Sequence, residues 1–186
     1  FSPLSDSEYA NFALRLRELK CQPAALLGDQ ASDILAACAD LFAEARMRAL
    51  LARGFLLAQA LERWQSRGFW VLSRADVAYP KRLKARLGTL SPPLLYGCGA
   101  VDAFERAGLA VLSEDDHAGV RSQLSAGGDA IVVLATSLER AALEVDYRAA
   151  LIARRLTLVT PCDPGVDPGS QSPQARDRLV QGLVQT

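Results

Sequence analysis

The chain has one histidine, one methionine and four cysteines in 186 residues, and its 21 basic residues are balanced by 21 acidic ones. Cys21, Cys38, Cys98 and Cys162 stand far apart without a CxxC pair. That spacing speaks against a zinc site and against a disulfide framework, and fits four reduced cysteines in a cytoplasmic protein. His117, the one imidazole, has Asp115 and Asp116 beside it but no nucleophile to activate. Ser113 and Ser137 lack the G-x-S-x-G context of a hydrolase elbow. Gly97-Cys98-Gly99 is too short for the G-x-G-x-x-G dinucleotide fingerprint. No apolar run reaches the roughly 18 residues that cross a bilayer, and Phe1–Lys20 lacks a signal-peptide pattern. The expectation is a chain with no catalytic residues, no metal, no cofactor and no membrane partner.

Half of the residues are hydrophobic, enough for a real core in one or two domains. The stretch Gly127–Pro164 organises the rest. Ala130–Ala135 and Leu156–Val159 are apolar, β-branched runs that read as buried strands. Between them Leu138, Ala141, Ala142, Val145, Ala149 and Ile152 recur at the spacing of one helix face, with Ser137 as a cap. Strand, helix, strand at this length predicts a βαβ unit with a parallel strand pair and a right-handed crossover. Ligands of such sheets sit beyond the carboxyl ends of the strands, here near Thr136–Ser137 and Thr160–Asp163. Phe69–Leu72, Leu94–Tyr96 and Leu109–Leu112 are further strand candidates. Pro80–Leu87, Asp102–Ala107 and Asp116–Ser125 read as helical.

Upstream the pattern is helical throughout. Ser5–Glu8 forms a possible capping box before Tyr9, Phe12, Leu16 and Leu19. Pro23 starts a short helix that Gly28 stops, and Ala31–Arg53 reads as one long helix. That helix resumes after Gly54 over Phe55–Arg67, with Leu57, Leu61 and Trp64 on one stripe. About four helices thus form a small domain over residues 1–68, SAM-like or helix-hairpin-helix-like. An α/β domain with a mostly parallel sheet follows over residues 69–186.

Charge is unevenly placed. Between Glu44 and Arg86 stand Arg46, Arg48, Arg53, Arg63, Arg67, Arg74, Lys81, Arg82, Lys84 and Arg86, against Glu44, Glu62 and Asp76 alone. From Gly99 to Tyr147 acidic residues dominate in turn. A basic block of this kind binds phosphates even on a neutral protein, unless the two blocks face each other within the fold or across an oligomer.

The run Trp70–Leu83 (WVLSRADVAYPKRL), followed by Ser91–Gly99 (SPPLLYGCG), resembles the DprA (Smf) family of DNA-processing proteins. That family has a D-x-x-YP-x-x-L segment, then a PP-x-L-x-G segment that leads into a Rossmann-like domain. Gly127–Leu138 is similar to the family strand that follows its A-L-x-x-G-G helix, and the resemblance covers about Leu14–Pro164. It implies a shortened Rossmann-like domain and a non-enzymatic protein that binds single-stranded DNA. It further implies a RecA-type recombinase partner during natural transformation, and a homodimer. Physically such a role needs a positive track for the DNA backbone.

The sequence departs from the family pattern where Leu109–Leu112 runs directly into Ser113-Glu114-Asp115-Asp116. The family's G-S-R and G-x-A-x-G-I-D loops, which offer backbone N–H groups to phosphate, are missing. Glu114 and Asp115 stand at the positions of glycine and its neighbour, and would repel phosphate. The chain also stops, over Gly165–Thr186, where the family continues for further strands.

Arg148 lies near where the resemblance places a basic DNA-contacting residue, in the helix after the S-L-[DE] turn; alternatively it pairs with Glu144. Arg140 is expected on the same helix face. Lys81, Arg82, Lys84 and Arg86 cluster on one short helix, as a DNA contact or a solvated face, and Arg121 is the basic residue nearest the missing loops. Trp64, Trp70 and Tyr96 suit base stacking or, flanked by leucine, the core. Two rival functions remain: a nucleotide sensor using the hydroxyls near Thr136 and Thr160, and a degenerate scaffold for dimerisation or partner docking.

Overall fold

The computed structural model describes residues 2–106, 108–164 and 172–184. Ala107, at the end of one expected helical turn, and residues 165–171, 185 and 186 of the expected α/β domain lie outside them. The chain divides into two compact units, residues 1–62 and 63–186. Among the described residues no helix is long and apolar enough to cross a membrane.

In the first unit α1 (Asp6–Glu18) starts on the expected capping box. The Ser5 hydroxyl accepts from the Glu8 N–H at 3.3 Å, and the Ser5 N–H donates to Glu8 at 2.8 Å. Pro23–Leu27 is a short 3₁₀ turn ending at Gly28. The long helix expected over Ala31–Arg53 is instead two, α2 (Ala31–Ala36) and α3 (Glu44–Leu51). Arg15 reaches the gap between them, donating to the Ala37 carbonyl and to both Asp40 oxygens. Phe42 turns inward there to meet Phe12 edge-on at 5.1 Å. Tertiary packing thus overrides an alanine-rich local preference. The core of the unit is Phe12, Leu16, Leu26, Ile34, Leu35, Cys38, Phe42 and Met47. Helix α4 (Gly54–Ser66) crosses the boundary of the units, with Leu57 exposed in the first and Trp64 buried in the second.

The second unit is built on a five-stranded sheet: β1 (Phe69–Ser73), β2 (Leu94–Gly99), β3 (Ala110–Ser113), β4 (Ala130–Val133) and β5 (Leu156–Thr160), in the order β1-β2-β5-β4-β3. β3, β4 and β5 are parallel, as the βαβ pattern demands; β1 and β2 add an antiparallel pair beside β5. Alternation along the strands sends Leu72, Leu95, Ile131, Val133 and Val159 to one face, into a core with Tyr79, Leu83, Leu179 and Leu183. That face is covered by α5 (Lys81–Leu87) and α9 (Ser172–Leu183). Ala130, Val132, Leu156 and Leu158 point to the other face, beneath α6 (His117–Ser125), α7 (Leu138–Ala141) and α8 (Val145–Ile152). Covering both faces is what a parallel sheet requires.

The expected single helix between β4 and β5 is broken at Ala142–Glu144, where Glu144 turns extended (ψ 134°) before α8 begins. The break resets the helical phase. Val145 and Ile152, expected in the core, are 85% and 78% exposed, while Tyr147 and Ala150 are buried. Gly97 and Gly99 serve packing: the Trp70 ring lies where a Gly97 side chain would begin, and its indole N–H donates to the Gly99 carbonyl at 3.1 Å.

Candidate nucleic-acid interface

The carboxyl ends of β3, β4 and β5 form the edge where a ligand is expected. That edge is filled from within. Glu114, directly after β3 and only 8% exposed, accepts from the Ala135 N–H at 2.7 Å, the Thr136 N–H at 3.3 Å and the Thr136 hydroxyl at 2.7 Å. Its charge is balanced by the buried guanidinium of Arg176 on α9, 3.8 Å away, which also pairs with Asp115 and Asp177. Thr160 is no freer, since its hydroxyl accepts from the Cys162 N–H at 3.1 Å. Glu114 therefore does more than repel phosphate: it is itself the anion held by the β4–α7 turn. With Asp115, Asp116, Asp163 and Asp177 on the same edge, Arg176 is outnumbered. Below it, burial pushes the Tyr96 phenol up to about 12, with Asp163 and Cys162 adding to the shift.

The D-x-x-YP-x-x-L segment proves to be a brace. Asp76 accepts from the N–H and hydroxyl of Ser73 at 2.6 and 2.9 Å, closing the loop after β1. Tyr79 is buried and donates to the Pro92 carbonyl at 2.7 Å, and the Ser91 hydroxyl donates to the Leu83 carbonyl at 3.0 Å. These bonds join the tyrosine segment to the Pro-Pro segment. They also fix Pro80 as the cap of α5.

The four cations of α5 divide. Lys84 lies 5.2 Å from the centroid of the Tyr79 ring. Arg86 donates to the Gln181 carbonyl at 3.2 Å and to that of Val184, clamping the last turn of α9, which passes α5 closely at Gly182. Lys81 and Arg82 are exposed, with no hydrogen bond or ion pair to the described residues. Elsewhere in the basic block, Arg46 pairs with Glu8, Arg48 with Glu44 and Arg67 with Glu139.

Arg148 is exposed on α8, and it makes no ion pair with Glu144 among the described residues. Arg140 is exposed on α7; the break at 142–144 puts it on a separate helix from Arg148, so the two do not share one continuous helical face. Arg121 on α6 sits 3.7 Å from Asp146, both exposed, a pair of little energetic weight. Arg121, Arg140 and Arg148 lie on the α6–α8 side of the sheet, and the α5 cations on the other. Trp64 and Tyr96 are buried against each other, edge-on at 5.3 Å. Trp70 is half-buried against Phe104. Packing, not stacking on bases, occupies these rings. Arg176 was not foreseen as part of any site: its partners Glu114 and Asp115 are some sixty positions away, and nothing local marks it.

A five-stranded sheet with a parallel core, helices on both faces and a brace ahead of it defines a Rossmann-like α/β protein. The sequence matches no protein-family model and no curated protein. Among solved structures it is similar to DNA processing protein A (DprA) from Streptococcus pneumoniae, with 20% identity and a TM-score of 0.69 over 97% of this chain and 71% of that one. The chain thus has a DprA-like fold, as the motifs lead one to expect, and shares it with a DNA-processing protein.

Proposed function

We propose that the chain binds single-stranded DNA without catalysis, through the outer face of α5. The observation that carries this reading is the pair of adjacent, exposed and unengaged cations Lys81 and Arg82. A positive track that follows a phosphate backbone needs such free charges and little else. The fold shared with DprA supports it. A RecA-type recombinase partner, a role in DNA uptake and a homodimeric state accompany this reading by way of the same resemblance. The nucleotide-sensor alternative loses support at the strand ends, where Glu114 and the Cys162 N–H engage the hydroxyls of Thr136 and Thr160.

The test is fluorescence anisotropy of labelled poly-dT at two salt concentrations, with the wild type, Lys81→Ala/Arg82→Ala and Arg148→Ala. Binding that weakens steeply with salt, and a salt slope reduced by about one for each lost contact in the double variant, is expected. A loss seen only with Arg148→Ala moves the site to α8. No binding at low salt ends the reading and leaves the scaffold alternative.

A further inference from the structure

A cleft of about 170 Å³ opens directly beside the two free cations. Its floor is Leu109, Val111 and Ile131, carried by β3, β4 and the residue before β3. Its sides are Tyr79 and Phe104, the latter held edge-on by Trp70 at 5.9 Å. Lys81, Arg82 and, among the acidic residues, Glu105 stand at its rim and are exposed. The volume is below the roughly 300 Å³ at which sites for drug-sized ligands begin, so it suits one planar ring rather than a whole nucleotide.

We propose that this cleft is a socket for a single unpaired nucleobase whose flanking phosphates lie on Lys81 and Arg82, an inference that rests on the DNA reading above. The chemistry divides along the cleft. The apolar floor and the partly exposed Phe104 take the ring of a base, with the buried Tyr79 closing the cleft behind it, and the rim cations take the backbone, the combination by which single strands are bound. A duplex cannot offer a base without unstacking and unpairing it, so the socket makes α5 selective for single strands. Glu105 adds a preference among bases. Its carboxylate only accepts hydrogen bonds, so it favours cytosine, adenine and guanine, which carry an exocyclic amine, over thymine.

The experiment measures anisotropy of the full chain with labelled oligonucleotides of equal length: dC, dT, a strand of abasic sites and a duplex. Ala78 is exposed at the cleft mouth, and Ala78→Leu narrows it with a side chain that cannot stack on a base. Circular dichroism melting confirms that each variant is folded. The dC strand is expected to bind severalfold tighter than dT and about tenfold tighter than the abasic strand or the duplex. Ala78→Leu removes that tenfold advantage and leaves the salt slope in place, and Glu105→Gln brings the dC-to-dT ratio toward one. If the abasic strand binds as well as dC while Lys81→Ala/Arg82→Ala still weakens binding, the socket is wrong and the DNA reading stands. If the double variant binds every strand as the wild type does, the site is not on α5 and the socket falls, whereas no binding of any strand at low salt ends the DNA reading itself. An unchanged dC-to-dT ratio in Glu105→Gln overturns the base preference.

Discussion

At the carboxyl edge of the sheet, three donors of the β4–α7 turn converge on Glu114, and Arg176 is shared among Glu114, Asp115 and Asp177. On the outer face of α5, Lys81 and Arg82 meet no such company. The first region has the architecture of an anion site and spends it on its own carboxylate. The second has no cradle of backbone donors, only free charge beside an apolar cleft. The difference separates stability from recognition: substitutions at the strand ends are expected to change folding, and those at Lys81 and Arg82 to change binding alone.

The largest effect expected is at Arg176. Removing its guanidinium leaves Glu114 buried without its counter-charge, which costs about 3 kcal/mol as for other broken buried pairs. Urea denaturation of Arg176→Ala reads it. Pairing the change with Glu114→Gln should recover part of the loss, and full additivity of the two would show that they are not coupled. Next in size is a pH effect just beneath the same edge. Tyr96 is held protonated to about 12 by burial first and by the nearby acidic charge of Asp163 second. The unfolded chain releases this proton near pH 10, so the folded state binds it more tightly and stability falls as pH rises from 10 to 12. The loss amounts to about 2 kcal/mol by pH 12. Tyr96→Phe should flatten that slope in melts between pH 9 and 12; a slope that persists would assign it to other groups.

What the sequence discloses follows from how local its causes are. Each strand begins within a residue of where the apolar runs put it, because those runs are bounded by Gly, Pro or charge. The brace is visible as a motif at Asp76, Tyr79 and Pro80, although its purpose is not, since the Pro92 carbonyl that Tyr79 seeks is 13 residues on. The helix between β4 and β5 misleads for a physical reason. With alanine and apolar residues on several sides, Leu138–Ile152 supports more than one helical phase, and the break at Ala142–Glu144 selects the phase that buries Tyr147. The clamp of Arg86 and the partnership of Arg176 with Glu114 are contacts across long stretches of chain, with no local signal. The absent glycine loops do point to the right place: the tetrad Ser113–Asp116 marks the edge where the Glu114 carboxylate takes up the donors of the β4–α7 turn.

On α5 the expectation is the reverse of that for Arg176. Lys81→Ala and Arg82→Ala touch only solvent-facing charge, so urea midpoints should stay within about 0.5 kcal/mol of wild type. A larger shift would mean that these cations support the fold and would weaken their assignment to DNA.

The smallest effect is expected at Arg148, and it decides which face of the sheet meets the strand. Arg148 is also exposed and unpaired with Glu144, so free charge alone does not distinguish it from Lys81 and Arg82. Its surroundings do. Glu144 and Asp146 share its helix terminus, and Val145 and Ile152 flank it as exposed apolar residues, whereas Lys81 and Arg82 stand together at the rim of a ring-sized cleft. A phosphate near Arg148 would feel one free cation against Glu144 and Asp146, the latter shared with Arg121, whereas one at the cleft rim would feel two cations against Glu105, a difference that acts within the Debye length of about 8–10 Å in physiological salt. Arg148→Ala should therefore leave stability unchanged and lower affinity for poly-dT by less than twofold, against a clearly larger loss for Lys81→Ala/Arg82→Ala. Equal losses from the two would require a strand that wraps from one face of the sheet to the other. A site-size titration with oligonucleotides of increasing length would then show a step in affinity at the length that bridges both faces.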